Sequence, residues 1–263
     1  MFENAGFYSH FLLRGVSDMI NIDEYPYLYE THLHTAAASA CARSTPEEMA
    51  VALKAYGYTG CIVTDHNWGG NTCVDRSLPW EDFMNEYAKS YERMKAKGDE
   101  IGLDVFFGME AGYDATEFLL YGLSKEFFIA HPEFRTCTVE EQFDIVHSGG
   151  GIVIHAHPYR EEYYIPEIRL FPEYIDGVEG VNATHVSPKS QSHNDPEFDV
   201  KAQAYAKKLG LPMTAGSDIH SIDLFGGGIR TKKKFKDMKE FCELILSGKD
   251  YILWDGERAY ESR

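Results

Sequence analysis

The sequence predicts an α/β fold in which a parallel sheet is wrapped by helices and one rim carries metal-binding side chains. Three observations lead there. Short apolar runs recur near residues 27–33, 60–64, 103–109, 117–122, 151–156, 176–181, 212–216 and 250–254. Helical patterns with readable starts fill most of the gaps between them. Five of the runs end on His, Asp or Glu. Strand and helix signals in alternation argue for a parallel sheet with helices outside it. A chain of 263 residues suits one barrel domain. Barrels of this kind keep their chemistry at the C-terminal ends of their strands.

Residues 1–24 fit the alternation poorly and read as an N-terminal extension of a single domain spanning 1–263. The first strand closes on Thr31-His32-Leu33-His34. Side chains alternate along a strand, so His32 and His34 share a face and can grip one metal ion. Thr45-Pro46-Glu47-Glu48 is a capping box with proline at the first helical position, followed by an apolar face at Met49, Leu53 and Tyr56. The second run, Gly60 to Thr64, ends on Asp65-His66. A long helix is expected from Trp80 to Lys97. The third run ends Gly108-Met109-Glu110. A carboxylate after such a run is poorly solvated unless a cation or donor meets it. It can bridge two metals roughly 3.5–4 Å apart. The next run, from Glu117 to Gly122, begins on a carboxylate. Thr138-Val139-Glu140-Glu141 is a second capping box. His155 and His157 then stand two apart on one strand, so they share a face, and Pro158 ends that strand. The run at 176–181 leads to Asn182. Asp195-Pro196 opens a helix ending near Gly210, and the next run leads to Asp218 and His220, a carboxylate and an imidazole able to serve adjacent metals.

The formal net charge is −17, and no basic stripe offsets it. Such a surface repels polyphosphate backbones, so no nucleic acid is expected as a partner. Lys232-Lys233-Lys234 with Lys236 reads as a solvated loop. No apolar stretch nears the roughly 20 residues that cross a bilayer, and the N-terminus lacks a signal-peptide pattern. Five cysteines without paired spacing suit reduced thiols in a cytoplasmic protein.

His-x-His, Thr-Asp-His, Gly-x-Glu, Ala-His-Pro-x-Arg and Gly-Ser-Asp-x-His, in this order over roughly residues 28–225, resemble the PHP family, named for polymerase and histidinol phosphatase. The resemblance implies a distorted (β/α)7 TIM-like barrel with two or three divalent ions, usually zinc, manganese or iron. It also implies hydrolysis of small phosphate esters. Carried over by motif, His32, His34, Glu110 and Asp218 match a first metal, Glu110 and His157 a second, and His66 and His220 a third. Arg160 matches a substrate-phosphate contact in some relatives, a role that suits a guanidinium fork. Its competing reading is a surface arginine paired with Glu161 or Glu162. Arg230, after Gly226-Gly227-Gly228, is a second phosphate candidate.

In this reading Asp218 or Asp65 orients the attacking water, and His155 protonates the leaving oxygen. Two departures from the family stand out. Thr35 to Cys41 offers no carboxylate or imidazole; Cys41 could bind zinc but reads better as a packed small residue, so the third site is expected to be partly filled or empty. Glu117 stands where a histidine is usual and is a possible ligand at the second metal. His131, His185 and His193 read as exposed loop histidines, any one of which could line the pocket, and His10 and His147 as outside the site. The rival functions are amide hydrolysis or deamination on an amidohydrolase-type centre, and an inactive metal-binding regulatory module.

Overall fold

The computed structural model describes residues 20–190 and 192–263. Most of the expected N-terminal extension, with His10, therefore lies outside the described residues. Among the described residues there are ten strands: β1 (Tyr27–Leu33), β2 (Gly60–Val63), β3 (Asp104–Tyr113), β4 (Thr116–Tyr121), β5 (Ile152–His155), β6 (Gly177–Asn182), β7 (Met213–Gly216), β8 (Gly228–Thr231), β9 (Tyr251–Trp254) and β10 (Ala259–Tyr260). The α-helices among the described residues are α1 (Pro46–Tyr56), α2 (Trp80–Ile101), α3 (Lys125–Ala130), α4 (Val139–Ser148), α5 (Ala183–Val186), α6 (Glu197–Leu209) and α7 (Met238–Ser247).

Both capping boxes form: the hydroxyls of Thr45 and Thr138 accept from the third helical amide, and Glu48 and Glu141 reach back. The long helix runs past Lys97 to Ile101, where Gly102 turns left-handed. Gly98 is used inside it for close approach, since a Cβ there would lie 2.6 Å from Val105 Cγ2. The buried face of α2, with Phe83, Met84, Tyr87, Ala88 and Met94, packs on the sheet at helical spacing.

The sheet runs β10-β9-β8-β1-β2-β3-β4-β5-β6-β7 and curls until β7 lies against β1. The seam is made by a parallel bridge between Leu33 and Ile219, by His34 N donating to Ile219 O at 2.9 Å, and by Thr31 Oγ1 donating to Ala215 O at 2.7 Å. Gly216 permits the approach, because a Cβ there would lie 2.4 Å from His32 Cβ.

The strand count and directions depart from a plain (β/α)7 repeat. β3 and β4 are an antiparallel hairpin, and β4 also runs antiparallel to β5. The turn is Asp114-Ala115, with φ of 45° and 65°, the left-handed pair that matches a two-residue hairpin loop to strand twist. A parallel crossover needs a dozen or more residues, and none are available there. β8 and β9 extend the sheet antiparallel beyond β1. The α/β class and the curled, barrel-like sheet are present, while the expected sevenfold repeat is replaced by this mixed ten-stranded sheet.

The hairpin has a consequence for the rim. Glu117 sits at the start of β4, opposite Gly112 near the end of β3. Because β4 runs backwards, its first residues lie beside the C-terminal ends of the parallel strands.

Candidate metal centre

His32 and His34 project from the end of β1 and are fully buried. Each ring is oriented from behind. His32 Nδ1 lies 2.9 Å from Glu179 Oε1, so its Nδ1 carries the hydrogen and its Nε2 keeps a lone pair. His34 Nδ1 lies 3.2 Å from Ser39 Oγ, whose own hydrogen goes to Asp65 Oδ1 at 2.6 Å. His34 therefore also presents a bare Nε2.

Those bare nitrogens meet carboxylates. His32 Nε2 is 3.1 Å from Glu110 Oε1 and 3.5 Å from Asp218 Oδ1. His34 Nε2 is 3.0 Å from Asp218 Oδ1 and 3.5 Å from Glu110 Oε2. His66 Nδ1 is 2.7 Å from Glu110 Oε2. Yet His32 Nε2, His34 Nε2, His66 Nδ1 and Glu110 Oε2 make no hydrogen bond among the described residues. Buried polar atoms this close, and unpaired, would be costly if nothing lay between them. Lone pairs converging on a shared cation account for the arrangement, so the residues fit divalent metal ions.

Four such groups have donor atoms within 4.8 Å of one another: His32, His34 and Glu110; His32, His157 and Asp218; His66, Glu110 and Glu117; and His34, His66 and His220. Glu110 joins the first and third, as a bridging carboxylate must. Two contributors sit on strained backbone, His157 at φ 27° and Asp218 at φ 52°. Non-glycine residues hold such conformations when the surroundings demand them, commonly at functional sites. For His157 the demand includes its own amide, which donates to Glu179 Oε2 at 3.0 Å.

Without a cation the electrostatics of the cluster are tense. Burial lowers the His32 pKa, but Glu179, Asp218 and Glu110 outweigh it and raise the value well above the ordinary one. Burial raises the Glu110 pKa, and His32 and His66 outweigh that, holding it well below the usual range. Asp218 is likewise held low by His32 and Arg160 against the effect of burial. His34 goes the other way, lowered by burial and by the neighbouring His66 and His220. Protons and cations therefore compete for the same pocket.

Arg160 belongs to this centre rather than to the surface. It is 4% exposed, and its Nη1 donates to Asp218 Oδ2 at 2.6 Å. Its Nε donates to His185 Nε2 at 3.1 Å, and His185 Nδ1 pairs with Asp199 at 2.6 Å. Nη2 has no partner among the described residues. His185 is thus a buried support for Arg160, not an exposed loop histidine.

Three sequence expectations need correction. Asp65 does not face the cluster: its carboxylate accepts from Thr35 N at 2.6 Å, Thr35 Oγ1 at 3.0 Å and Ser39 Oγ, anchoring the loop after β1. His155 joins none of the four ligand groups. Its ring stacks on Phe118 at 5.0 Å, and burial, helped by His157, pushes its pKa down to about 3. Arg230 pairs across the sheet with Leu28, four residues before His32, and its guanidinium lies over Trp254 at 4.7 Å. Because β8 runs antiparallel to β1, it carries Arg230 away from the metal rim.

Two buried carboxylates that hold the site together were missed, Glu30 and Glu179. Glu30 accepts from His32 N at 3.0 Å and Ser217 N at 2.9 Å, tying β1 to β7. The available signal was a glutamate in the middle of an apolar strand, in Tyr29-Glu30-Thr31 and Val178-Glu179-Gly180. Cys41 is half-buried and lines the cleft that His220 also borders. Burial raises its thiol pKa, but His220 and His66 outweigh it and bring it to about 7.

A cleft of about 570 Å³ opens beside the cluster, lined by Asp218, His220 and Cys41 and by Arg43, Lys189 and His193. No described helix is long and apolar enough to cross a membrane.

The family described as PHP-associated matches residues 198–249, a stretch containing Asp218 and His220. No curated protein matches the chain. A structure from Bifidobacterium adolescentis, provisionally assigned as a metal-dependent phosphoesterase, is similar at TM-score 0.51 and 14% identity, over 83% of this chain and 95% of that one. PsfC from Pseudomonas syringae is similar at TM-score 0.50 and 14% identity, over 80% and 84%. An amidohydrolase from Chromobacterium violaceum reaches TM-score 0.49 at 13% identity, over 73% and 87%. At these identities the likenesses concern the fold.

Proposed function

We propose that this chain, whose PHP character the family match and the motifs support, is a metal-dependent phosphoesterase acting on small phosphate esters. One observation carries the reading: a buried guanidinium, Arg160, stands beside the metal-facing carboxylate Asp218 with one Nη left without a partner. A cation held in that position suits an anionic substrate whose oxygens reach the metal centre. Arg43 and Lys189 on the adjacent cleft add positive charge locally to a chain of net charge −17.

His32, His34, Glu110 and Asp218 would hold a first ion, and Glu110, Glu117 and His157 a second. Zinc, manganese and iron all suit such a donor set. Divalent ions bound there would supply Lewis acidity and a water acidic enough to act as nucleophile near neutral pH. Glu179, and Ser39 backed by Asp65, keep the His32 and His34 rings in the ligating tautomer. Arg160 would neutralise charge on the phosphoryl oxygens as it builds. His155 is held neutral against Phe118, so the proton for the leaving oxygen is assigned instead to His193, which lines the cleft; burial and Arg160 lower its pKa, and the Glu162 carboxylate paired with its Nδ1 opposes them.

The test is metal analysis of protein purified without added metal, with phosphomonoesters, phosphodiesters and amides assayed in parallel. Phosphate ester hydrolysis lost to a chelator and restored by manganese, zinc or iron is expected. Turnover of amides alone would overturn the reading in favour of an amidohydrolase, and bound metal with no turnover would favour a binding module.

A further inference from the structure

Glu179 stands behind the ion ligands, and His185 stands behind Arg160. One fully buried side chain, Asn182, touches both supports. Asn182 ends β6, three residues after Glu179, and caps α5, the short helix that carries His185. Residues three apart on a regular strand face opposite ways. Here a bulge places Glu179 and Val181 opposite the adjacent residues Thr214 and Ala215, with Gly180 as the extra residue. The bulge turns Asn182 back toward Glu179.

Asn182 Nδ2 donates to Glu179 Oε2 at 3.1 Å, and its Oδ1 accepts from Thr184 N at 3.2 Å. The amide cannot be turned over without losing both bonds, because a carboxylate only accepts and a peptide N–H only donates. The main-chain N of Asn182 donates to Asp199, 3.2 Å from Oδ1, and Asp199 is the carboxylate paired with His185. Glu179 Oε2 also accepts from His157 N, and Oε1 from His32 Nδ1. One arm of Asn182 therefore steadies the carboxylate that orients a ligand of the first ion and holds the backbone of a ligand of the second. The other arm orders the helix and the acid behind Arg160.

We propose that Asn182 is a positioning residue that sets the affinity of both ions through its Nδ2 bond to Glu179, and the pose of Arg160 through its Oδ1 and main-chain N. It joins none of the four ligand groups and acts only through the residues it holds. The two arms separate by chemistry. Asn182→Ser keeps a good helix cap and the main-chain bond, but is too short to reach Glu179. Asn182→Asp also keeps the cap, and sets a carboxylate oxygen against Glu179 where a donor stood. His185→Leu removes the acceptor of Arg160 Nε and leaves Glu179 alone.

The test is calorimetry on the metal-stripped full chain, first with manganese(II), then with inorganic phosphate on the manganese-saturated protein. Asn182→Asp should weaken both ions by about 10- to 100-fold, the usual cost of losing a group behind a metal ligand. Asn182→Ser, which adds no charge and so guards against misfolding of the first variant, should weaken both by less. Phosphate affinity at saturating manganese should stay at the wild-type value in Asn182→Ser. His185→Leu should show the reverse pattern, with weaker phosphate binding and neither ion weakened. Undiminished ion affinity in both Asn182 variants would overturn the proposal. So would an equal loss of ion and phosphate affinity in Asn182→Ser, which is what a merely structural role produces. The inference rests on the metal-centre reading and not on turnover: the expected pattern in a protein that hydrolyses no phosphate ester would defeat the proposed function alone, and hydrolysis with ion affinity unchanged in the Asn182 variants would defeat this inference alone.

Discussion

Arg160→Ala separates two roles that meet in one side chain. Arg160 braces Asp218 through Nη1 and, in the proposed function, offers Nη2 to substrate. Removing one partner of a buried ion pair costs about 3–5 kcal/mol, because the remaining charge is stranded. With 4% of Arg160 exposed, solvent cannot enter without rearrangement to relieve Asp218. The metal-free variant should lose stability of that order. A bound ion supplies Asp218 with another positive partner, so the metal-loaded variant should lose less. The catalytic effect is separate: a charged hydrogen bond to phosphate contributes about 1.5–3 kcal/mol. That corresponds to a fall in kcat/KM of roughly ten- to over a hundredfold at saturating metal. The assay is denaturant unfolding with and without metal, alongside kinetics on metal-saturated protein. Unchanged kcat/KM in a fully loaded variant would refute the substrate role and leave Arg160 as a brace alone.

Glu110→Gln should lose nearly all turnover and at least one bound ion, since it removes the anion shared by two cations; near wild-type activity would sink the bridging assignment. Glu117→Gln should weaken the second ion while sparing the first, as measured by ion count during stepwise chelation; an unchanged count would remove Glu117 from the ligand set. His193→Gln should slow hydrolysis of alkyl phosphates far more than of aryl phosphates, because only poor leaving groups need the proton; an equal effect on both would exclude it as the acid. His155→Phe should flatten the acid side of the stability profile. The wild-type ring stays neutral when folded, with a pKa about 3, while the unfolded chain protonates it near its ordinary value. Its contribution is complete above about pH 6.5 and is lost as pH falls, by about 2 kcal/mol between pH 6.5 and 5; parallel profiles for the two proteins would contradict the assigned burial.

Much of the rim was legible because apolar runs end where strands end. Both capping boxes, the stop at Gly210 and the acidic or histidine residue after each of five runs were readable from local chemistry alone. What failed was the extension of local rules past their range. The period-two argument placed His155 and His157 on one face, but β5 stops at His155 and His157 has φ 27°, so alternation no longer applies. The Gly108–Gly122 segment read as two barrel strands, yet the left-handed pair Asp114-Ala115 folds it into a hairpin. That reversal carries Glu117 to the rim, a position that counting along parallel strands does not foresee. Arg230 was misplaced for the same reason, since nothing in a four-residue strand announces its direction. Cys41 was read from its loop, whereas the fold brings it to the wall of a cleft shared with His220, a residue distant in sequence.

Eleven histidines make residue type a poor guide to function here, and what lies behind each ring separates the candidates better. A ligating imidazole needs its far nitrogen occupied by an acceptor, so that the near nitrogen keeps a lone pair. His32 has Glu179, His34 has Ser39 and Asp65, and His220 has the Asp218 carbonyl. His185 also has a carboxylate behind it, Asp199, but its free nitrogen is already taken by Arg160, so the same device serves an arginine instead of an ion. His155 has an unpartnered Nδ1 and an aromatic face against it, and cannot be held in one tautomer by its surroundings. The backing groups come from β6, from the loop after β1 and from the residues following β7. A buried acid in a strand of apolar neighbours, such as Glu179, is costly unless it holds something polar in place. Such acids mark the metal centre from the side that faces away from the ions, and they explain why this sheet tolerates several of them within its interior.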